Sequence, residues 1–221
     1  MSYKTETHLH TKESSYCSQV SAEEMMHLYK EKGYKTVIIT NHYSMGNLNI
    51  PMAYSWEERI DYLLLGYKNA QKLSSSLSMN VLFGIELTLY ETRSDYLIYG
   101  ITEQFLKENK HLYNLTLKEL VDICKNNNFL IVEAHPFRDN MELVPLEFNM
   151  PIEVYNGCHD VNSRNELAKK YVKENKLIGI SGSDFHHIND LARGGIITDT
   201  EIKTIQDYIN VVLENKFEMI T

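Results

Sequence analysis

ETHLHTKESS, residues 6–15, sets two histidines, His8 and His10, one residue apart just behind an acidic residue. In a strand, side chains i and i+2 leave on the same side, so the two imidazoles would point to one place. Two imidazoles on one face can hold one ion. Whether other donors meet them there depends on what the rest of the chain builds around that strand.

Strand-like apolar runs alternate with amphipathic stretches along the chain, with no internal repeat and no low-complexity linker. That alternation predicts an α/β fold. The strand candidates are Lys4 to His8, Thr36 to Thr40, Val81 to Leu87, Tyr96 to Gly100, Phe129 to Glu133, Ile152 to Tyr155 and Leu177 to Ile180. Seven such runs can close a barrel. A first helix follows a Ser21 cap with Glu24 at the capping-box position, runs to about Lys32 and stops at Gly33, with Met25, Met26, Leu28 and Tyr29 facing the core. Further helices are expected over about Ser55 to Leu73, Thr116 to Asn126, Asn162 to Asn175 and Glu201 to Glu214.

The chain has 221 residues, enough for one domain with a sizeable core, and residues 1–221 are read as a single domain. Its formal net charge of -8, with basic residues scattered, lacks the electrostatic footprint of a protein that wraps nucleic acid or lies on anionic lipid. No membrane span or cleavable leader is legible, so a cytoplasmic location is expected. Cys17, Cys124 and Cys158 form no CxxC pair, which argues for reduced thiols rather than a disulfide framework or a zinc finger.

Placed on this map, the polar residues converge. His42 in TNHYS lies just past the second strand, Glu86 in GIEL ends the third, and His135 in EAHPF lies just past the fifth. Asp184 and His186 in SGSDFHH follow the last strand. All fall at C-terminal strand ends, where a parallel β/α barrel carries its active site. Any one histidine there is more often a hydrogen-bonded structural residue than a ligand; five separated segments aimed at one mouth point instead to a metal cluster. Histidine with carboxylate suits zinc, manganese or iron, and a carboxylate can bridge two ions about 3.5–4 Å apart.

ETHLHT, ITNHY, GIEL, EAHPF and SGSDFH, in that order and over nearly the whole chain, resemble the motifs of the PHP superfamily, named for polymerase and histidinol phosphatase. The resemblance implies a distorted seven-unit TIM-like (β/α) barrel with two or three divalent ions and, in most stand-alone members, hydrolysis of a phosphoester. By position, His8, His10, Glu86 and Asp184 would hold a first ion, Glu86 would bridge to a second held also by His135, and His42 and His186 would hold a third. The sequence departs from the family in three places. In DYLIYG, Asp95 stands where a histidine is usual in H-x-L-x-L-G. In HLHTKESSYCS the usual serine followed by aspartate or histidine is missing, leaving Glu13, ranked slightly ahead of Cys17, or water to complete the third site. Asn41 replaces the aspartate common in TDH, a weaker partner for orienting His42.

The chemistry expected is attack on a small phosphomonoester by a hydroxide bridging two ions, with Asp184 or a neighbouring histidine such as His186 moving the proton. No GxSxG elbow is present, and Cys17 is not expected to act as nucleophile. Arg138 in HPFR is placed for a bidentate phosphate contact, Arg193 in LARGG is a second candidate, and Gly194 and Gly195 could offer backbone N–H groups or simply form a turn. His159, and less so His187, are at the correct end to touch substrate; Asn156 is polar without a fixed role; His27, within the first helix, reads as partly buried or at its surface, and His111, after a charged run, as solvated. Residues 41–54 read as a lid loop, in which Tyr43 and Tyr54, with the following Trp56, would stack on substrate or pack on the next helix. An amino-alcohol phosphate resembling histidinol phosphate, a nucleotide and a phosphotyrosine all fit; neither membrane nor nucleic-acid polymer is expected as partner, and oligomeric state is open. Two other readings remain: a catalytically weakened module that binds a nucleotide or a partner protein, and a hydrolase of a bond other than phosphoester.

Overall fold

The computed structural model describes residues 2–48 and 54–221. In chain order the elements are β1 (Tyr3–Leu9), α1 (Ala22–Glu31), β2 (Tyr34–Ile39), β3 (His42–Tyr43), α2 (Met45–Leu48), α3 (Trp56–Leu63), α4 (Leu65–Leu77), β4 (Asn80–Thr88) and β5 (Asp95–Tyr99). They continue with α5 (Glu103–Glu108), α6 (Leu117–Asn126), β6 (Leu130–Glu133), β7 (Ile152–Asn156), α7 (Asn165–Asn175), β8 (Gly179–Gly182), β9 (Ile196–Thr198), α8 (Ile205–Leu213) and β10 (Glu218–Met219).

Local chemistry sets the helix ends. Ser21 Oγ accepts from Glu24 N to start α1, and Gly33, at φ +76°, lets the chain turn out of it. Ser55 with Glu58, Thr116 with Glu119 and Thr204 with Asp207 form reciprocal capping boxes. The Thr204 cap explains why α8 begins at Ile205 and not at Glu201. The single helix expected from Ser55 is divided at Leu64 into α3 and α4, the second reaching Leu77. The division falls where the chain meets the loop after β1: Gly66 N donates to Ser14 Oγ, and a Cβ at Gly66 would come within 1.9 Å of Thr11 Oγ1.

All seven expected strands form, in one nearly closed sheet of order β10-β9-β1-β2-β4-β5-β6-β7-β8, with β3 alongside β4. Near the mouth β8 returns to β1: Thr7 Oγ1 donates to Ser181 O, His10 N donates to Phe185 O, and Leu9 bridges Phe185. The other half of that β1 edge is taken by β9, which pairs antiparallel with Tyr3 to Thr5. The result is a distorted barrel of seven staves. Six run parallel; β5 is antiparallel to both β4 and β6. A reversed stave brings its first residue, Asp95, to the mouth that the other staves reach with their last.

Apolar residues fill three main clusters. One joins β1 and β2 to α1 and α4; another lies between β4, β5 and α3, α5, α6; a third joins barrel residues to α8. Helix α8 packs at the end opposite the mouth, with Ile209 against Gly100 just past β5. Tyr43 and Trp56 belong to the second cluster, both buried, with Leu112 N donating to the Tyr43 hydroxyl and Trp56 Nε1 donating to Leu106 O. They pack and do not stack on a substrate; burying aromatics this size is worth about 1.5–3 kcal/mol each. Within the expected lid loop, β3 and α2 are regular structure, Tyr54 is exposed, and residues 49–53, including Pro51, lie outside the described residues. Among the described residues no helix is long and apolar enough to cross a membrane.

Candidate metal centre

The strand ends deliver three adjoining groups of donors, His8–His10–Asp184, Glu86–Asp95–His135 and His10–His42–His186. In the first, His8 Nε2 lies 3.1 Å from His10 Nε2, 3.3 Å from Asp184 Oδ1 and 3.4 Å from Glu86 Oε1. His10 Nε2 lies 3.2 Å from Asp184 Oδ1 and 3.4 Å from Glu86 Oε2. Four donors around a tetrahedral ion, each bonded at about 2.0–2.1 Å, must sit about 3.3–3.4 Å apart. His8, His10 and Asp184 have about that spacing, and Glu86 approaches the first histidine with Oε1 and the second with Oε2.

The outer hydrogen bonds fix which atoms face the gap. His8 Nδ1 donates to Glu153 Oε1 at 2.8 Å, and His10 Nδ1 faces Ser15 Oγ, whose own proton goes to Asn41 Oδ1. In the neutral rings both Nε2 atoms are therefore lone pairs, aimed at each other and at carboxylate oxygens, and the surrounding carboxylates favour a positive charge there, from a proton or from an ion. Such an arrangement is repulsive without a cation. Asp184 Oδ1, buried and without a hydrogen-bond partner, says the same, because a desolvated carboxylate oxygen is costly unless something positive faces it.

In the second group, His135 Nε2 is 2.9 Å from Glu86 Oε1 and 3.9 Å from Asp95 Oδ2. Thr88, the register partner of Asp95 across the β4–β5 hairpin, donates to Asp95 Oδ1 and leaves Oδ2 facing inward. In the third, His42 Nε2 and His186 Nε2 are 3.3 Å apart, with His186 Nδ1 held by Asp184 O. His42 Nδ1 lies 2.6 Å from Glu86 Oε2. Glu86 thus touches all three groups.

The electrostatics follow from this crowding. Burial lowers His10, and His42 and His186 beside it push it further down, well below the usual histidine range. Burial also works against protonation of His8, but Asp184, Glu153 and Glu86 outweigh it and hold His8 well above that range. Burial would raise Glu86 and Asp184; His42 and His8 overcome it for Glu86, and His8 and Arg138 for Asp184, holding both well below the carboxylate range. Asp95 is raised by burial and by Glu86.

A scaffold of buried acids holds the ligating segments. Glu6 accepts from the backbone N–H groups of Thr7, His8 and Ser183 and from the Tyr29 hydroxyl. Glu153 holds His8 with one oxygen, and His135 N and Asn156 Nδ2 with the other. Asp190 accepts from the N–H groups of His186 and His187 and from both N–H and Nδ1 of His159. His135 and Asp184 sit at φ +29° and +48°, backbone strain of the kind that persists where surroundings over-determine it. The roles of Glu6, Glu153 and Asp190 are absent from the motif reading. The available signal was an acid flanked by apolar residues in a strand, as in Ile152-Glu153-Val154.

Glu13 is a correction. Both its oxygens accept from Ala22 N, at 3.0 and 3.1 Å, so it caps α1 and does not face the third group. Cys17 does: its thiol interacts with His186 and His42, which outweigh burial and bring it down to about 6. Gly194 and Gly195 offer no free N–H, since theirs go to Ser183 Oγ and Ser181 Oγ. Their lack of side chains serves close approach of backbones, with Gly194 against Gly182 and Gly195 against Thr5. Arg193 is exposed and is not among the residues lining the mouth, whereas Arg138 is, its Nη2 donating to Asp184 Oδ2 at 2.6 Å and to Asn156 Oδ1. His27 is exposed on α1, and His111 packs on Trp56 and bonds to Tyr113 instead of being simply solvated. His187 borders the mouth cavity, of about 250 Å³; His159 lies in an adjoining cleft, tied to Asp160 and Asp190.

A profile of the PHP domain matches residues 6–219. The chain belongs to the PHP domain family. Among solved structures, PsfC from Pseudomonas syringae PB-5123 is similar at 16% identity and a TM-score of 0.66, over 94% of this chain and 88% of that one. A two-domain protein from Bacteroides vulgatus ATCC 8482, named as containing a predicted PHP-like metal-dependent phosphoesterase, matches at 14% identity and 0.68, over 99% of this chain and 64% of its own. An amidohydrolase from Chromobacterium violaceum, with bound sulfate, matches at 13% and 0.54 over 98% of each chain. At these identities the similarity concerns the fold. No curated protein matches the chain. PHP membership accords with donor groups able to hold metal ions at this mouth.

Proposed function

We propose that this PHP chain is a metal-dependent hydrolase of small phosphomonoesters. The observation that carries the reading is the convergence of His8 Nε2, His10 Nε2 and Asp184 Oδ1 at 3.1–3.3 Å from one another, with Glu86 oxygens 3.4 Å from both histidines. His8, His10, Glu86 and Asp184 would hold a first ion, Glu86, Asp95 and His135 a second, and His42 and His186 a third; zinc, manganese and iron all suit these donors. Such ions supply Lewis acidity, generating a nucleophile from water near neutral pH and offsetting charge on the ester oxygens.

The chain's own residues do the rest. Arg138, held by Asp184, Asn156 and Ser163, presents its remaining N–H groups to the cavity, where a phosphoryl oxygen can take a charge-assisted bond. Asp184 fixes that arginine with Oδ2 while Oδ1 faces the donor group. His186 has both ring nitrogens engaged, Nδ1 by Asp184 O and Nε2 toward the third ion, so it would serve there as a ligand and not as a proton carrier. The cavity of about 250 Å³ fits a phosphoryl group and a small part of its alcohol, the remainder reaching the rim. The names of the Bacteroides and Chromobacterium proteins support the general class and leave phosphoester and amide as competing bonds.

The deciding experiment is phosphate release from a broad panel of phosphomonoesters, with manganese or zinc added and with metals chelated. Metal-dependent release that vanishes in Glu86→Ala supports the reading. Release from none, with turnover of amides by the same metal-loaded protein, moves the assignment to amide hydrolysis; turnover of neither leaves a binding module, without membrane or nucleic-acid polymer as partner.

A further inference from the structure

With His10 committed elsewhere the third donor group is short of a ligand, and Cys17 of the loop after β1 lines the same cavity as His42 and His186. His10 has Nε2 in the first group and Nδ1 toward Ser15. That leaves His42 Nε2 and His186 Nε2, 3.3 Å apart, as a pair that spans one edge of a coordination tetrahedron. Glu86 Oε2, 2.6 Å from His42 Nδ1, engages that nitrogen of the ring and leaves Nε2 for an ion.

The loop after β1 is bound to these histidines residue by residue. Ser15 Oγ accepts from His42 N; Ser18 Oγ donates to His10 O and lies near His186 O; Gln19 N donates to His186 O; Asn47 Nδ2 donates to both Ser14 O and His42 O. Between Ser15 and Ser18 this framework turns Cys17 into the cavity wall beside His42 and His186, while the segment's carboxylate, Glu13, is spent on the N-terminus of α1. Nothing else in residues 11–19 offers a metal-binding side chain at that place.

We propose that Cys17 Sγ is a ligand, as thiolate, of an ion held by His42 and His186, so that this chain's third site is a sulfur-containing one. The inference rests on the metal-dependent reading above. Histidine, histidine and thiolate favour zinc or cobalt(II) over manganese, because a soft donor gains more from a borderline ion than from a hard one. The first two groups, all imidazole and carboxylate, carry no such preference for thiophilic ions. Binding of the ion releases the thiol proton to solvent, and no oxidant enters.

The test uses the full chain, stripped of metal and titrated with cobalt(II) chloride. A sulfur-to-cobalt charge-transfer band in the near ultraviolet is expected as the last ion fills. Cys17→Ser should lose the band and bind one ion fewer, with the circular dichroism of the fold and the other sites' visible d–d bands retained. Cys158→Ser, at the other free thiol of the cavity, should keep it. Cys17→Asp should restore the lost ion without the band and shift the third site toward manganese. A titration of the unaltered chain that shows no sulfur band, or a band that persists in Cys17→Ser, overturns the proposal. The hydrolysis reading fails independently: a band lost with Cys17 in a protein that cleaves no ester would leave the ligand assignment standing and remove the function.

Discussion

The donors around His8 and His10 and those around His42 and His186 share one strand end and one carboxylate, yet they are built differently. His8 and His10 are fully buried, each ring fixed from behind by an oxygen of Glu153 or Ser15. His42 and His186 remain 22% and 13% exposed at the cavity wall, and the element completing their group is a loop. A pre-oriented, water-excluded donor set loses little freedom on binding and holds its ion tightly. A set open to solvent exchanges it. On the metal-dependent reading, the interior donors would hold a resident ion and the rim donors an exchangeable one.

The comparison breaks most completely at Glu86, which serves both sides. Glu86→Ala should remove bound metal from every group and lower metal-dependent turnover by about 10³-fold or more, several kcal/mol of charge stabilisation being lost. Metal analysis and turnover together check this. Equal metal content and normal activity would end the assignment. A smaller effect separates the two sides: His42→Ala should empty only the rim site, leaving the ions held by His8 and His10 in place on mass spectrometry under native conditions. If both sites empty together, the two groups are one unit and the contrast in burial has no functional meaning.

Glu153→Gln sharpens the contrast from behind. The carboxylate that holds His8 Nδ1 also holds His135 N, so the neutral variant should weaken metal affinity by about 10–100-fold while the fold persists. Calorimetric titration with zinc measures it, and unchanged affinity would mean that the buried Glu153 is a packing residue only.

What could be read from sequence divides along the same line. The interior group was legible because strand periodicity alone makes His8 and His10 neighbours and because each later donor sits at a strand end. Asp95 was legible by motif, though its placement depends on β5 running backwards. That reversal could have been inferred, since the residues between Leu87 and Tyr96 are too few for a parallel crossover, which takes about a dozen or more. The rim was harder. Whether Glu13 or Cys17 faces the histidines turns on side-chain hydrogen bonds among Thr11, Ser15 and Asn41, which no periodicity encodes. The break at Leu64 and the burial of Tyr43 and Trp56 likewise depend on what packs against them, so sequence alone leaves stacking and packing both open for these aromatics and the structure places them in the core.

The smallest effect on chemistry is expected at Glu133, a buried acid beside the mouth that belongs to no donor group. Its Oε1 accepts from Val144 N, its Oε2 has no partner, and burial raises it to about 7, with the Val144 bond pulling the other way. The unfolded chain loses this proton near the ordinary value of 4.5, so between about 4.5 and 7 the folded state binds more protons than the unfolded one. Stability contributed by the protonated acid is therefore present below 4.5 and falls as pH rises through that window, by on the order of 3 kcal/mol. Glu133→Gln cannot ionise. It should flatten that fall in urea melts across the window while leaving zinc affinity and turnover unchanged, whereas a loss of metal in this variant would extend the buried interior group one acid further along β6.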